Sequence, residues 1–158
     1  MRNPLAIVAL VALAACQPSQ EFTDDQELAL VDSVLQVHGG LIAAARAVDA
    51  DRLLAFFAAD AGVVMDGVVV PRDRFATNVR AAYQQLDRQE VDWHPARVSV
   101  ISRDAVVLTI GGRYRAISPT GETVWDGEVA WTEVFERQPD GWKLTHAHQS
   151  RVPPATSN

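Results

Sequence analysis

The sequence contains one cysteine, Cys16, and one lysine, Lys143, among its 158 residues. With a single cysteine the chain cannot form an intramolecular disulfide, and the part after Cys16 has no thiol nucleophile or thiolate metal ligand. Basic charge therefore comes almost entirely from arginine. The formal net charge of −6 and a pI near 5.1 argue against a nucleic-acid partner. The length suits one domain with a single core.

The first sixteen residues, MRNPLAIVALVALAAC, combine a basic start, an apolar run and small residues before Cys16. This pattern is typical of an export signal. The apolar run over 5–15 is shorter than the roughly 20 residues that span a bilayer. The string LAAC at 13–16 resembles the lipobox of bacterial lipoproteins, which implies lipidation of Cys16. Gln17 after it implies sorting to the periplasmic face of the outer membrane, with 17–23 as a tether.

Hydrophobic periodicity predicts helices first and strands afterwards. TDDQ at 23–26 is typical of a capping box, and apolar spacing over 28–45 predicts a long helix, broken or kinked at Gly39 and Gly40. A shorter helix is expected over 49–61, a strand over 62–70 and a third helix from Pro71. Further strands are expected over 93–102, 105–117, 123–137 and 142–151. This order predicts an α+β domain over 24–152, a curled antiparallel sheet wrapped over about three helices, followed by a flexible tail at 153–158.

The strand expected over 123–137 carries its large apolar side chains at odd positions, which makes that face the inner one: Trp125, Val129, Trp131 and Phe135. Glu133 lies on the same face. An unpaired carboxylate there costs several kcal/mol, so Glu133 needs a partner or a pocket. Arg113 and Arg115 on the preceding strand are the expected partners, in either a structural ion pair or a ligand site.

Two histidines, His146 and His148, stand one residue apart on the last expected strand and point to the same side. They suit a shared metal, a primed nucleophile or simple packing. A metal needs a third ligand, and the other histidines are His38, expected in the core, and His94. No GxSxG elbow is present. We therefore expect structural contacts for the pair, with no metal and no cofactor. Both faces of this strand are mixed, so periodicity leaves open which one is inside.

The strings DADRLLAFFAADAGVVMDG at 49–67 and WTEVFERQPDGWKLTHAHQS at 131–150 resemble the NTF2-like superfamily, specifically its SnoaL-like and DUF4440-type domains. The resemblance covers about 25–152. It implies a cone in which helices close the concave side of a curved sheet, with a pocket at the mouth and dimerisation through the sheet. Members range from ketosteroid isomerase and polyketide cyclase to non-catalytic association domains, so the fold does not define the function.

For ketosteroid isomerase, the resemblance implies a carboxylate base at the end of the first strand and an oxyanion hole made by a tyrosine and a neutral aspartate. Met65 or Asp66 falls at the base position, although MDG is also typical of a turn. The first helix has no tyrosine, because the only two are Tyr83 and Tyr114. The acid–base set therefore looks incomplete.

The association domains hold a carboxylate with two arginines of the terminal hairpin, and Glu133 and Gln149 stand at those positions here. The expected function is accordingly binding of a small, largely apolar ligand by a lipid-anchored homodimer, without assignable catalysis. The first alternative is a SnoaL-like isomerase or cyclase that uses Asp66 or Glu133 as acid or base. The second is a structural dimerisation module. The expected pocket residues are Trp125, Trp131, Glu133, Arg113, Thr145 and Gln149.

Overall fold

The computed structural model describes residues 22–152. The expected export signal, Cys16, most of the tether and the tail lie outside the described residues. Three helices are present: α1 (Asp24–Arg46), α2 (Ala50–Leu54) and α3 (Arg72–Tyr83). The strands are β1 (Phe57–Met65), β2 (Val68–Val70), β3 (Arg88–Trp93), β4 (Arg97–Ser102), β5 (Ala105–Ile117), β6 (Thr123–Gln138) and β7 (Gly141–Val152).

The seven strands form one curved sheet in the order β2-β1-β7-β6-β5-β3, and β4 also pairs with β5. Only the β1–β7 pairing is parallel among the described strands. The helices cover the concave face, and the core lies between the two layers. Its fully buried side chains are Phe135, Leu108, Leu144, Val34, Val63 and Val106. The predicted α+β class and NTF2-like architecture are confirmed.

Helix α1 begins at the predicted capping box, in which Gln26 N donates to Thr23 Oγ1 and Thr23 N donates to Gln26 Oε1. The prediction of a break at Gly39 and Gly40 is wrong, because α1 continues to Arg46. Gly40 lies under the ring of Phe56, where a Cβ would come within 2.8 Å of Cζ. The small residue therefore permits close packing instead of ending the helix. Length and composition alone would let α1 span a membrane, but core helices of globular domains pass the same test, and α1 packs in the core here.

The prediction of a helix over 49–61 is wrong for its second half. Asp49 caps α2 through its Oδ1, which accepts from Arg52 N at 3.0 Å, but α2 ends at Leu54. Phe57 already belongs to β1 and pairs with Leu144 of β7. A short apolar run suits a buried strand as well as a helix, and pairing with β7 decided the outcome.

Two other expected strands are each divided in two. The run over 62–70 turns at Asp66 and Gly67, both with positive φ, +50° and +82°, as a two-residue hairpin between β1 and β2 requires. The run over 93–102 is interrupted at 94–96, where Pro95 has no N–H to donate to a ladder. β3 and β4 therefore pair with different parts of β5.

A bulge in β7 determines which side chains of this last strand face the core. Phe135 pairs with Leu144, but Val134 pairs with His146, so Thr145 is an extra residue. The alternation changes at this point, and both Leu144 and Ala147 face the core. His146 and His148 consequently lie exposed on the convex face.

Candidate functional site

A cavity of about 310 Å³ lies between α1, α3 and the concave face of the sheet. Most of its wall is apolar, and the larger apolar side chains are Leu41, Ile42, Leu53, Phe57, Met65, Phe75, Val79, Val91, Trp93 and Trp131. Polar side chains also reach it: Asn78, Tyr83, Gln89, Tyr114, Glu133, Gln149 and Arg151. A mainly apolar cavity with a few polar groups is the usual form of a small-molecule site.

The central polar feature of the cavity is Glu133, whose Oε2 lies 2.8 Å from His38 Nδ1. Both side chains are buried, with 4% and 8% of their surfaces exposed. Glu133 comes from the inner face of β6 and His38 from the apolar face of α1. With the carboxylate ionised, Nδ1–H donates to it, so His38 orients Glu133 at the cavity wall.

The prediction that Arg113 and Arg115 are the partners of Glu133 is wrong. In the β5–β6 ladder Glu133 pairs with Leu108, whereas Arg113 pairs with Glu128 and points to the convex face. Arg113 there donates to both oxygens of Asp126, at 2.8 and 3.0 Å. The Arg113 hydrogen bond, with support from Arg115, lowers the pKa of the Asp126 carboxyl. The arginines thus belong to an exposed ion-pair network.

The other expected pocket residues divide between the cavity and its surroundings. Trp131 and Gln149 line the cavity together with Glu133. Trp125 lies outside it, with its ring centroid 5.2 Å from that of Tyr114. Thr145 lies at the β7 bulge and donates from Oγ1 to the Val134 carbonyl at 3.3 Å. The bulge explains why Thr145 and Gln149 do not share a face.

Asp66, the other expected acid or base, does not line the cavity. It lies in the β1–β2 turn, where its carboxylate accepts from Arg151 Nε at 2.8 Å and also from Nη2. Its backbone N–H donates to the Gln149 carbonyl. Asp66 is thus paired with Arg151, which lines one end of the cavity. Of the two expected acid or base residues, only Glu133 faces the cavity.

Two phenols in the cavity wall come from elements other than the first helix. Burial raises the pKa of Tyr83 to about 12, and the hydrogen bond to Gln89 opposes this only in part. Burial also raises the pKa of Tyr114, with Arg151 acting in the opposite direction. Both phenols therefore stay protonated near neutral pH and act as hydrogen-bond donors. The resemblance implies a tyrosine on the first helix, whereas these two reach the cavity from α3 and β5.

Three buried polar atoms have no hydrogen-bond partner among residues 22–152: His38 Nε2, Trp93 Nε1 and Gln149 Oε1. Each such atom costs about 1–3 kcal/mol when left unpaired. Trp93 and Gln149 line the cavity, and His38 bonds the glutamate in its wall. Unpaired polar groups thus gather around one cavity. Over the same residues, no three His, Cys, Asp or Glu side chains are grouped closely enough to hold a metal ion.

Sequence reasoning missed the His38–Glu133 pair although both halves were visible. Each residue is an isolated polar side chain on an otherwise apolar face, one on a helix and one on a strand. Two such residues in one chain are natural partners, because each avoids the cost of lone burial by finding the other.

Comparison with protein families shows a match to the SnoaL-like domain over residues 34–155. The match covers most of the chain, which therefore belongs to the SnoaL-like family. Curated protein sequences give no match.

Solved structures share the fold. A candidate dehydratase of the NTF2-like family from Streptomyces avermitilis has 23% identity and a TM-score of 0.70, over 82% of this chain and 99% of its own. A candidate scytalone dehydratase from Novosphingobium aromaticivorans has 10% identity and a TM-score of 0.71, over 86% and 100%. The hexachlorocyclohexane dehydrochlorinase LinA-type3 from Novosphingobium barchaimii has 14% identity and a TM-score of 0.65, over 86% and 97%. At these identities the likeness concerns the fold alone.

Proposed function

We propose that this protein binds a small, largely apolar molecule in the cavity and removes a proton from one of its carbon atoms, with Glu133 as the base. The observation that carries the proposal is the 2.8 Å contact between His38 Nδ1 and Glu133 Oε2 at the wall of an apolar cavity. A buried carboxylate is expensive to maintain, and a buried titratable group with a specific partner in a cavity wall is a candidate for acid–base catalysis.

The proton transfer needs a base and a group that stabilises negative charge on the substrate. Glu133 supplies the base, and His38 acts as its positioning residue. Tyr83 and Tyr114 remain protonated because burial raises the pKa of both phenols, so they suit an oxyanion that forms on the substrate. These phenols supply the tyrosine donor that the acid–base set lacked on the first helix.

The reaction balances as an elimination or an isomerisation. The C–H bond breaks and its proton passes to the Glu133 carboxylate, while the electron pair forms a carbon–carbon double bond. In an elimination, a hydroxyl on the neighbouring carbon leaves, takes up a proton from a phenol and departs as water, and Glu133 returns its proton to that phenol. In an isomerisation, the substrate already has a neighbouring carbon–carbon double bond; its electron pair shifts away as the new double bond forms, and its far carbon takes the proton back from Glu133. Names of fold relatives that include dehydratases and a dehydrochlorinase support the elimination.

Binding without chemistry is the alternative that the sequence favoured. The apolar wall suits it equally, but it gives no reason to keep Glu133 and His38 buried together. A purely structural module is less well supported. It would need the interior to be filled by Trp125, Trp131 and Phe135, whereas Trp125 lies outside the cavity and open volume is left beside Trp131.

Location and assembly are also part of the proposal. The export signal and the lipobox-like LAAC support a lipid anchor on Cys16 and a place on the periplasmic face of the outer membrane. The substrate would then be a compound of the cell envelope. A homodimer remains a prediction, which size-exclusion chromatography with light scattering checks.

A neutral carbon acid tests the base directly. 5-Nitrobenzisoxazole loses its ring proton to a base as its N–O bond breaks, and it yields a yellow phenolate. The purified protein should open this ring at least about 100-fold faster than acetate at equal concentration. Glu133→Gln should remove the acceleration, whereas Glu128→Gln, the same change on the convex face of the same strand, should keep it. Equal rates for wild type and Glu133→Gln would reject Glu133 as the base and leave binding without chemistry.

A further inference from the structure

One positive charge lines the cavity among residues 22–152: the guanidinium of Arg151. Arg151 follows Gln149 by two residues on β7, so both side chains lie on the inner face of that strand. The other charged lining group is Glu133, on the neighbouring strand β6. The cavity therefore has a cationic end at Arg151 and a base in its wall.

The chain itself provides a carboxylate for Arg151. Asp66 accepts from Nε at 2.8 Å and from Nη2, with both bonds on the same oxygen. Arg151 and Asp66 have 42% and 36% of their side-chain surfaces exposed. An ion pair this exposed contributes little to stability, so a ligand carboxylate can share or take over the guanidinium. No hydrogen bond to Nη1 forms within the described part of the chain.

Neighbouring groups favour an anion at the same end. Tyr114 lines the cavity near Arg151, and its phenol stays a donor because burial raises its pKa despite the arginine. The Gln149 amide lies on the same face of β7 as Arg151; its Nε2 can donate to an anion, whereas its unpaired Oε1 can only accept. The other charged group of the cavity wall, the carboxylate of Glu133, would repel an anion placed beside it.

We propose that the cavity selects small monocarboxylates with an apolar body, which place the carboxylate on Arg151 and Tyr114 and the body toward Trp131 and Glu133. Tyr83 is then the phenol that remains for an oxyanion that forms during the reaction. Asp66 holds Arg151 in position while the site is empty. The inference rests on the proposed function only in taking this cavity as the ligand site. It narrows the substrate class to a carboxylic acid whose reacting carbon lies away from the charged end.

Binding of a matched pair of probes tests the inference without any turnover. Cyclohexanecarboxylate and cyclohexanecarboxamide have the same ring and differ in charge, and neither absorbs where tryptophan emits. Isothermal titration or the fluorescence of Trp93 and Trp131 reports their binding. The purified protein should bind the carboxylate roughly tenfold or more tightly than the amide, because hydrogen bonds to a charged group are the stronger ones.

Variants identify the residue responsible. Arg151→Gln should reduce carboxylate affinity about tenfold and leave amide affinity within about twofold, which a folding defect would not do. Arg113→Gln, an arginine with an equally close carboxylate on the convex face, should leave both unchanged. Asp66→Asn should tighten carboxylate binding by about threefold, since it removes a competing charge.

Equal affinities for the two probes, or an unchanged carboxylate preference in Arg151→Gln, would overturn the inference. Neither result touches the proton-transfer proposal, because 5-nitrobenzisoxazole carries no carboxylate and its opening is tested by Glu133→Gln. Conversely, carboxylate selectivity in a protein that does not open the ring would support Arg151 and reject Glu133 as a base.

Discussion

His38 and Glu133 stand 95 positions apart in the chain, and their side chains meet at 2.8 Å inside the domain. The pair joins α1 to the central strand β6 and defines the cavity wall. Its burial distinguishes it from the other ion pairs of the described residues, which have at least one partner more than a third exposed. The stability of the domain and the proposed proton transfer therefore both depend on this pair.

Removing one partner of this pair should be costly. His38→Leu leaves a buried carboxylate unpaired, and we expect the free energy of unfolding to fall by about 3–5 kcal/mol in urea denaturation. Replacing both residues, with His38→Leu and Glu133→Met, should recover most of that loss, because an apolar pair has no charge to solvate.

An exposed pair serves as the control. Arg80→Gln breaks the bond from Arg80 to Asp51, whose side chains are 53% and 81% exposed. The expected change is below about 1 kcal/mol. A His38→Leu loss as small as this would mean that Glu133 relaxes toward water, and the buried-pair account would then be wrong.

Adjacent glycines on β5 should respond differently to alanine. A Cβ on Gly112 would overlap the Asp92 carbonyl oxygen and lie 2.9 Å from the Cα of Trp93, both backbone atoms of the paired strand β3. A Cβ on Gly111 would have its nearest neighbour at 3.6 Å, an ordinary contact. Gly112→Ala should thus separate β3 from β5 and lower the melting temperature, while Gly111→Ala should leave it unchanged or raise it slightly.

Calorimetry of the two single variants makes this comparison. Because Trp93 borders the cavity, Gly112→Ala should also change the tryptophan emission spectrum, whereas Gly111→Ala should not. Matching melting curves for the two variants would contradict the close approach of β3 and β5 at Gly112.

The two tyrosines should titrate only at high pH. Burial raises the pKa of Tyr83 from 10.0 to about 12 and that of Tyr114 as well. In a spectrophotometric titration, the native protein should show little phenolate near pH 10, where the denatured chain is already half ionised. The folded state then binds more protons than the unfolded state, so stability is full below pH 10 and declines as pH rises toward 12.

Phenylalanine variants separate the two contributions. Tyr83→Phe and Tyr114→Phe should each remove part of the loss of stability above pH 10, measured by urea denaturation at several pH values. Phenolate absorbance that reaches its full value near pH 10 in the native protein would show that these phenols are not protected by burial.

The proposed lipid anchor depends on one side chain. Cys16→Ser should release the protein from the membrane fraction, because no other residue accepts the lipid in this type of processing. Fractionation of the producing cells and the mass of the mature N-terminus report the result. Gln17→Asp should keep the anchor and shift the protein toward the inner membrane. Membrane association that persists in Cys16→Ser would exclude the lipoprotein assignment.

Local sequence was sufficient for several features. The capping box at Thr23 and Gln26, the turn at Asp66 and Gly67, and the inward face of β6 each depend on residues within one element, where short-range hydrogen bonding and side-chain alternation decide the outcome. The resemblance of two strings carried the fold class. The candidate site was predicted only in part, through Trp131, Glu133 and Gln149.

Long-range contacts decided the rest. Phe57 became a strand residue because β7 pairs with it, and the absence of a side chain at Gly40 lets Phe56 pack closely against α1. The bulge at Thr145 determined which side chains of β7 face inward.

The sequence by itself determined that Glu133 stands on an apolar face and requires compensation, because strand alternation is a property of the local backbone. Only the tertiary structure decided that the compensation comes from His38 and that Arg113 faces away. The strand register and the position of α1 bring those residues together or hold them apart, and both depend on how the helices pack across the whole sheet.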